Sequence, residues 1–204
     1  MEILVPDIAT LKYYEGTYRE YDRFSSSIEM SEQWKSFESM LPPGGTVLDL
    51  GCGTGRDIKH FLEAGFIVEG VEPALAMANC ARSKTGARIF DLAAEQIAFV
   101  EEYDGIWACA SLMHMRKSAF FYTLPKIIKS LKPGGSFYFS LKQGVGEARN
   151  DDGRLFSFYE MDEIIYLFSL ISNAQIVKQW VSKDVAGRRE TQWLNIIVKK
   201  QNLK

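Results

Sequence analysis

The sequence predicts an α/β fold, a doubly wound and mostly parallel sheet with helices on both faces. Three observations lead there. Thr46-Val47-Leu48-Asp49-Leu50 is a short apolar strand that runs into Gly51-Cys52-Gly53-Thr54-Gly55, a loop with glycine at every second position, and then into a helix opening at Arg56-Asp57. Strand and helix patterns alternate from there to residue 141, and a β-hairpin closes the chain, the order expected when helices pack on both sides of one sheet. The fourth strand, Tyr103-Asp104-Gly105-Ile106-Trp107-Ala108-Cys109-Ala110, is nearly all apolar, as a strand covered on both faces should be.

Each element has its own signal. Residues 7–40 carry Tyr13, Tyr14, Tyr18, Tyr21 and Phe24, then Trp34, Phe37 and Met40, at spacing compatible with helices, and Pro42-Pro43-Gly44-Gly45 ends this cap. After the first strand, Thr54 and Asp57 have the form of a capping box for a helix over about 56–64. Phe66-Ile67-Val68-Glu69-Gly70-Val71-Glu72 is the second strand, and Pro73 opens the next helix where a missing N–H costs nothing. Ala87-Arg88-Ile89-Phe90 is the third strand, ending at Asp91. A helix spans about 116–131, with a kink expected at Pro125. Lys132-Pro133-Gly134-Gly135 turns into the fifth strand, Ser136–Leu141. Residues 142–157 are rich in glycine and charge and too long for an ordinary connection, which predicts a binding loop. A helix over about 160–171 leads to the closing strands, Gln175–Val181 and Thr191–Lys199, whose hairpin carries Asp184, Arg188 and Arg189.

The chain therefore reads as a single domain over 1–204: an N-terminal helical cap at 1–45, a cofactor-binding core at 46–141, and a substrate loop, helix and terminal β-hairpin at 142–204. A domain of this size buries about 70% of the surface of its unfolded chain. With 47% hydrophobic and 25% charged residues and a net charge of −2, it has no Lys/Arg block, which counts against a nucleic-acid partner. The start, Met1-Glu2-Ile3-Leu4-Val5-Pro6-Asp7, lacks the basic and long apolar regions of a signal peptide. No apolar run approaches a membrane span, so the expectation is a cytoplasmic protein, monomer or homodimer, without a membrane partner. Cys52, Cys80 and Cys109 are odd in number and not in metal-like spacing. They read as small reduced thiols, and no metal is expected.

The glycine loop decides which nucleotide is expected. A dinucleotide fingerprint, G-x-G-x-x-G, keeps the helix N-terminus free for a pyrophosphate. Here the third glycine comes one residue early, at Gly55, and Arg56 fills the place of glycine. Asp49 at the strand end would repel a phosphate but suits an ammonium group. S-adenosylmethionine offers an ammonium, a ribose and an adenine, and no phosphate. The run Val47-Leu48-Asp49-Leu50-Gly51-Cys52-Gly53-Thr54-Gly55 resembles motif I of the class I S-adenosylmethionine-dependent methyltransferases. The resemblance covers roughly residues 46–141. It implies a Rossmann-like, seven-stranded sheet whose last strand is antiparallel, with S-adenosyl-L-methionine as cofactor and S-adenosyl-L-homocysteine as product.

On that basis the cofactor-binding candidates are Asp49, Gly51, Cys52, Gly53, Gly55, Arg56, Glu72, Pro73, Met77, Asp91, Leu92 and Ala110. Asp49 and Arg56 would take the ammonium and carboxylate of the methionine end; an exposed helix-start arginine is the alternative for Arg56. Glu72 stands about twenty residues past the glycines, where an acid accepts ribose hydroxyls, although a helix N-terminal acid would also sit there. Pro73 and Met77 would flank the adenosine. In the family an acid in the position of Asp91 accepts the adenine amino group, with Leu92 bordering the ring; a turn aspartate is the alternative.

Ala110-Ser111-Leu112-Met113-His114 follows the fourth strand and resembles the small-molecule branch of the family. It lacks the Asp/Asn-Pro-Pro-aromatic tetrapeptide of enzymes that methylate nucleic-acid amines. His114 is the candidate catalytic base, its ordinary pKa lying near neutrality, or else it caps the following helix. Tyr14, Lys142, Arg154 and Trp193 are the candidate substrate-binding residues. The expected activity is methyl transfer to a small-molecule acceptor by in-line displacement, much of the rate coming from alignment and water exclusion. The competing readings are a methyltransferase acting on RNA or protein, an NAD-dependent oxidoreductase and a non-catalytic binding protein.

Overall fold

The computed structural model describes residues 5–185, 187 and 191–201. Arg188 and Arg189 of the closing hairpin, and the first four residues of the chain's start, lie outside the described residues. Two helices come first, α1 (Ile8–Ser25) and α2 (Ser31–Glu38). The core then alternates: β1 (Thr46–Leu50), α3 (Arg56–Glu63), β2 (Ile67–Val71), α4 (Leu75–Thr85), β3 (Arg88–Phe90), β4 (Tyr103–Ala108), α5 (Lys117–Ser130) and β5 (Leu131–Gln143). The chain continues with β6 (Glu147–Arg149), β7 (Leu155–Tyr159), α6 (Met161–Ser169), β8 (Ala174–Lys183) and β9 (Gln192–Lys200).

Strands β3, β2, β1, β4 and β5 lie side by side in that order and run parallel. β9 joins β5 antiparallel along Ser136–Lys142, and β8 pairs antiparallel with β9. These are the seven strands the sequence predicts, with the antiparallel closing strand in place. The chain winds outward through β1, β2 and β3, then returns to start again at β4 beside β1. That reversal opens a crevice at the carboxyl ends of β1 and β4, the usual ligand position in an open α/β sheet.

Successive side chains of a strand face opposite ways, and this sheet buries both sets. Leu48, Ile106 and Phe137 face the layer of α5, with Phe120, Leu124 and Ile127. Val47, Trp107 and Tyr138 face the other layer, with Phe37, Ile58 and Phe61. Trp107 and Tyr138 stack with ring centres 4.0 Å apart.

Three local expectations change, those for the 142–157 loop, the capping box and Pro73. The binding loop predicted over 142–157 is largely a hairpin, in which β6 pairs antiparallel with β7 and β7 extends the sheet beside Lys142 and Gln143 of β5. The capping box at Thr54 does not form: Gly55, at φ +88°, precedes α3 without a side-chain cap, and Asp57 turns inward instead. Pro73 sits outside α4, whose first residue is Leu75. Pro125 lies within α5, which continues through it to Ser130.

Among the bonds that fasten α1 across the site end of the sheet, three involve its carboxylates and its N-cap. Asp7, its N-cap, accepts from Thr10 N at 2.9 Å and takes Arg149 of β6 in a two-pronged pair at 2.9 and 2.7 Å. Glu15 accepts the amides of Leu75 and Ala76, the exposed N–H groups at the start of α4. Asp22 pairs with Lys84 at the end of α4.

Candidate active site

β1 and β4 deliver two loops to the crevice, and their sequence explains how closely they approach. Gly51 has φ +80°, and a Cβ there would stand 2.4 Å from Cβ of Ser111. Ser111 in turn donates to Leu50 O at 2.6 Å, stitching the loop after β4 to the end of β1. Gly51 and Cys52 donate their amides to Val71 O, so the glycine loop is also pinned to β2. Ala110 holds φ +53°, a costly conformation for a residue with a Cβ, and its amide is fixed by Ser140 Oγ at 2.9 Å.

Two cavities flank this junction. The first is lined by Gly51, Gly53, Glu72, Pro73, Met77 and His114, with α1 supplying Thr10, Leu11 and Tyr14 as its cover. The second is lined by Arg56, Met113, Arg154, Phe156, Trp193 and the end of α1. Tyr14, Tyr21, Cys109 and Ala110 line both. A reacting atom in one cavity therefore faces the other across these four residues.

Glu72 organises the first cavity. Its two carboxylate oxygens accept from Gly53 N and Ala74 N, each at 2.9 Å. Burial pushes its pKa up to about 7 against the pull of those amides. Each oxygen retains a second lone pair, which suits it to hydroxyl donors. Asp49 is 2% exposed, and its Oδ2 has no hydrogen-bond partner. Burial, with the negative charge of Asp57 beside it, drives its pKa well above the carboxylate range. An orphaned buried carboxylate oxygen calls for a cationic donor, and an ammonium group supplies one. The glycine loop and Glu72 thus fit the donor groups of S-adenosylmethionine, whereas Asp49 lies buried behind Leu50 and Gly51 and lines neither cavity.

The remaining predicted residues divide. Arg56 lines the second cavity, but its guanidinium is committed to Asp57, with Nε at 2.9 Å and Nη2 at 2.7 Å. Asp57 also accepts the indole N–H groups of Trp34 and Trp107, both at 2.9 Å. Cys52 packs inward near Gly70 and Ile58, and Gly55 lies against Ala81 and Thr85 of α4, so both shape the loop from behind. Arg154 and Trp193 line the second cavity, whereas Lys142 lies over the ring of Phe156 at 4.0 Å and lines neither.

Asp91 and Leu92 require correction. The Asp91 carboxylate turns outward to Arg82 of α4 at 2.5 Å, and Leu92 packs on the core. A 3-10 turn over Ala94–Gln96 brings Ala93, Ala94 and the buried Glu95 to the first cavity instead.

His114 is tied at both ring nitrogens. Nδ1 donates to Leu155 O at 2.8 Å, which leaves Nε2 as acceptor for the hydroxyl of Tyr14, also at 2.8 Å. Arg154 Nη1 donates to the same Tyr14 oxygen at 3.3 Å. Burial lowers the His114 pKa to about 4, so the ring is neutral near pH 7. Cys109 lies beside Arg56 and Ser140, and burial raises its thiol to about 12, so it is no thiolate nucleophile.

Tyr21 and Glu95 are lining residues that sequence reasoning passed over as site residues. Tyr21 had a signal: it stands seven residues from Tyr14, on the same face of one helix.

An open sheet with a strand–glycine loop–helix unit, an acid at the end of β2 and paired cavities at the switch point defines a nucleotide-cofactor enzyme domain. Residues 47–135 match the family model described as a methyltransferase domain. A Bacillus subtilis (strain 168) protein provisionally named as the methyltransferase YqeM is 29% identical over 135 residues, covering 63% of this chain and 55% of that protein. The tRNA U34 carboxymethyltransferase of Klebsiella pneumoniae is 27% identical over 141 residues, covering 61% of this chain and 40% of that protein. This chain thus spans about half the length of these curated relatives. Among solved structures, Burkholderia thailandensis 1,6-didemethyltoxoflavin-N1-methyltransferase, with bound 1,6-didemethyltoxoflavin and S-adenosylhomocysteine, has a TM-score of 0.79 at 20% identity, covering 95% of this chain and 88% of that one. The chain is thus similar to methyltransferase domains over residues 47–135, and it shares the fold of solved S-adenosylmethionine-dependent methyltransferases.

Proposed function

We propose that this protein transfers a methyl group from S-adenosylmethionine to a small-molecule acceptor. The observation that carries this reading is the shared wall: Tyr14, Tyr21, Cys109 and Ala110 belong to both cavities, so donor and acceptor meet under one helix. The cofactor, when bound, would supply an electrophilic methyl open to attack by an electron pair of the acceptor, with the thioether as the leaving group. Glu72 would hold its ribose, with Glu95 in reach of the adenine end. Arg56, which lines the second cavity, would reach the carboxylate from there with what its pairing to Asp57 leaves open.

His114 and Tyr14 supply a route for the acceptor's proton. As the acceptor loses its proton to Tyr14 Oη, the tyrosine's own proton passes to His114 Nε2, whose tautomer Leu155 O already fixes. The proton gained by the imidazole would leave the site with the same positive charge that a bound sulfonium brings to it. The B. thailandensis structure, with a small heterocycle bound, supports this size of acceptor. An RNA acceptor is the competing reading, and the tRNA-directed relative is its support. Against it, Arg56 and Arg154 in the second cavity are each already paired with an aspartate. No helix among the described residues is long and apolar enough to cross a membrane, and the three free cysteines support a reducing compartment such as the cytoplasm.

Calorimetry with S-adenosylmethionine and S-adenosylhomocysteine tests the donor, and a screen of metabolite extracts for acceptors of labelled methyl tests the acceptor. Failure of both nucleosides to bind overturns the proposal.

A further inference from the structure

The second cavity contains a polar group that neither the cofactor contacts nor the Tyr14–His114 pair employs. Gln33 of α2 is 4% exposed and lines the cavity, and its carboxamide has no hydrogen-bond partner among the described residues. A carboxamide that lines a cavity with no protein partner offers its donor and acceptor to whatever enters. Ser25, also 4% exposed, lines the same cavity, and its Oγ too lacks a partner.

What surrounds Gln33 narrows the ligand. The cavity walls include Met30, Met113, Phe156 and Trp193, all buried, a lining that favours a flat apolar body. The two arginines there are neutralised, Arg56 by Asp57 and Arg154 by Asp152, each at 2.7 Å. Lys183, the remaining cation of the lining, is exposed to solvent, so a buried cationic partner for an anionic acceptor would require breaking one of these pairs. A primary carboxamide presents one acceptor and one donor side by side in a plane. Its complement is an edge with adjacent N–H and C=O groups.

Resting on the reading of this cavity as the acceptor site, we infer that the acceptor is an uncharged, flat heteroaromatic compound whose lactam-type edge pairs with Gln33. Ser25 supplies a further hydroxyl to the same ring system.

The test uses the full chain saturated with S-adenosylhomocysteine and three probes of similar size: quinazolin-4-one, its 3-methyl derivative, which lacks the N–H, and 2-naphthoate. Quinazolin-4-one is expected to bind about tenfold tighter than either of the others, the scale of a paired amide edge. Gln33→Leu should remove that preference and leave S-adenosylhomocysteine affinity unchanged. Gln33→Glu, close to isosteric, should also remove it, which covers the case of a poorly folded leucine variant. Tightest binding by 2-naphthoate, retention of the preference in both variants, or absence of probe binding to loaded protein overturns the inference. So does tighter binding of a tRNA anticodon stem-loop than of any probe. Failure of S-adenosylhomocysteine itself to bind would instead sink the methyltransferase reading.

Discussion

Tyr14 of α1 donates its hydroxyl hydrogen to Nε2 of His114 across 2.8 Å, joining the N-terminal cap to the turn after β4 over a hundred residues of sequence. The bond fixes the imidazole from one side while Leu155 O fixes it from the other. Tyr14→Phe should free Nε2 and cost on the order of 1 kcal/mol in stability. Nitrogen NMR of the wild type should show a neutral ring protonated at Nδ1 down to about pH 4. A ring that titrates at its ordinary value would contradict the assignment. With a depressed pKa, His114 stabilises the fold above its ordinary value of 6.5, and that contribution is lost as pH falls toward about 4.

Glu72 gives the opposite dependence. Its pKa is raised from 4.5 to about 7, so its contribution to stability is complete below 4.5 and is lost as pH rises through 7. The full effect is on the order of 3 kcal/mol. Glu72→Gln should flatten thermal stability across this window. Affinity for S-adenosylhomocysteine should rise with pH over the same range in the wild type, because hydroxyl donors favour the carboxylate, and should become level in the variant. An unchanged slope in the variant would assign the titration to another group.

Asp57 closes a buried set of donors: two indole N–H groups and the Arg56 guanidinium. Asp57→Ala strands all three and should destabilise the protein by roughly 3–5 kcal/mol, read as a lower urea midpoint at unchanged slope. Asp57→Asn, which retains acceptor oxygen, should lose less. Equal losses in the two variants would mean that the charge, not the hydrogen bonding, holds the set.

The Asp7–Arg149 pair holds the first turn of α1, and the hydrogen bonds from Arg149 keep the Asp7 carboxyl well below its usual range. Arg149→Ala should speed amide exchange across the first turns of α1 and weaken cofactor binding severalfold, while the global unfolding midpoint stays nearly fixed. Added salt should move wild-type exchange toward that of the variant, because the pair is partly exposed and screened. Exchange confined to wild-type rates would show that Glu15 and Asp22 suffice to hold the helix.

The parts of the site written in backbone terms were the most legible. Gly51 sits where a Cβ would strike Ser111, Gly53 holds φ +56°, and Glu72 stands where β2 ends. Asp91 was misleading because a strand end does not reveal which way the next side chain leaves. Arg82 on α4 draws that carboxylate outward, and the turn at Ala94–Gln96 substitutes Glu95. Leu155-Phe156-Ser157-Phe158-Tyr159 is a strand pattern after Asp152-Gly153, a pair common in hairpin turns, but the surrounding charge made the segment look like a loop. Gln33 gave no sign at all. A glutamine on a short helix reads as solvated, and only the fold shows that its amide is enclosed.

α1 contributes to both cavities and is tied at Asp7, Glu15 and Asp22. A roof held in common makes the arrival and departure of the two ligands one event. The same few contacts, with the Tyr14–His114 bond among them, therefore guard two rooms at once, and loosening any of them bears on both.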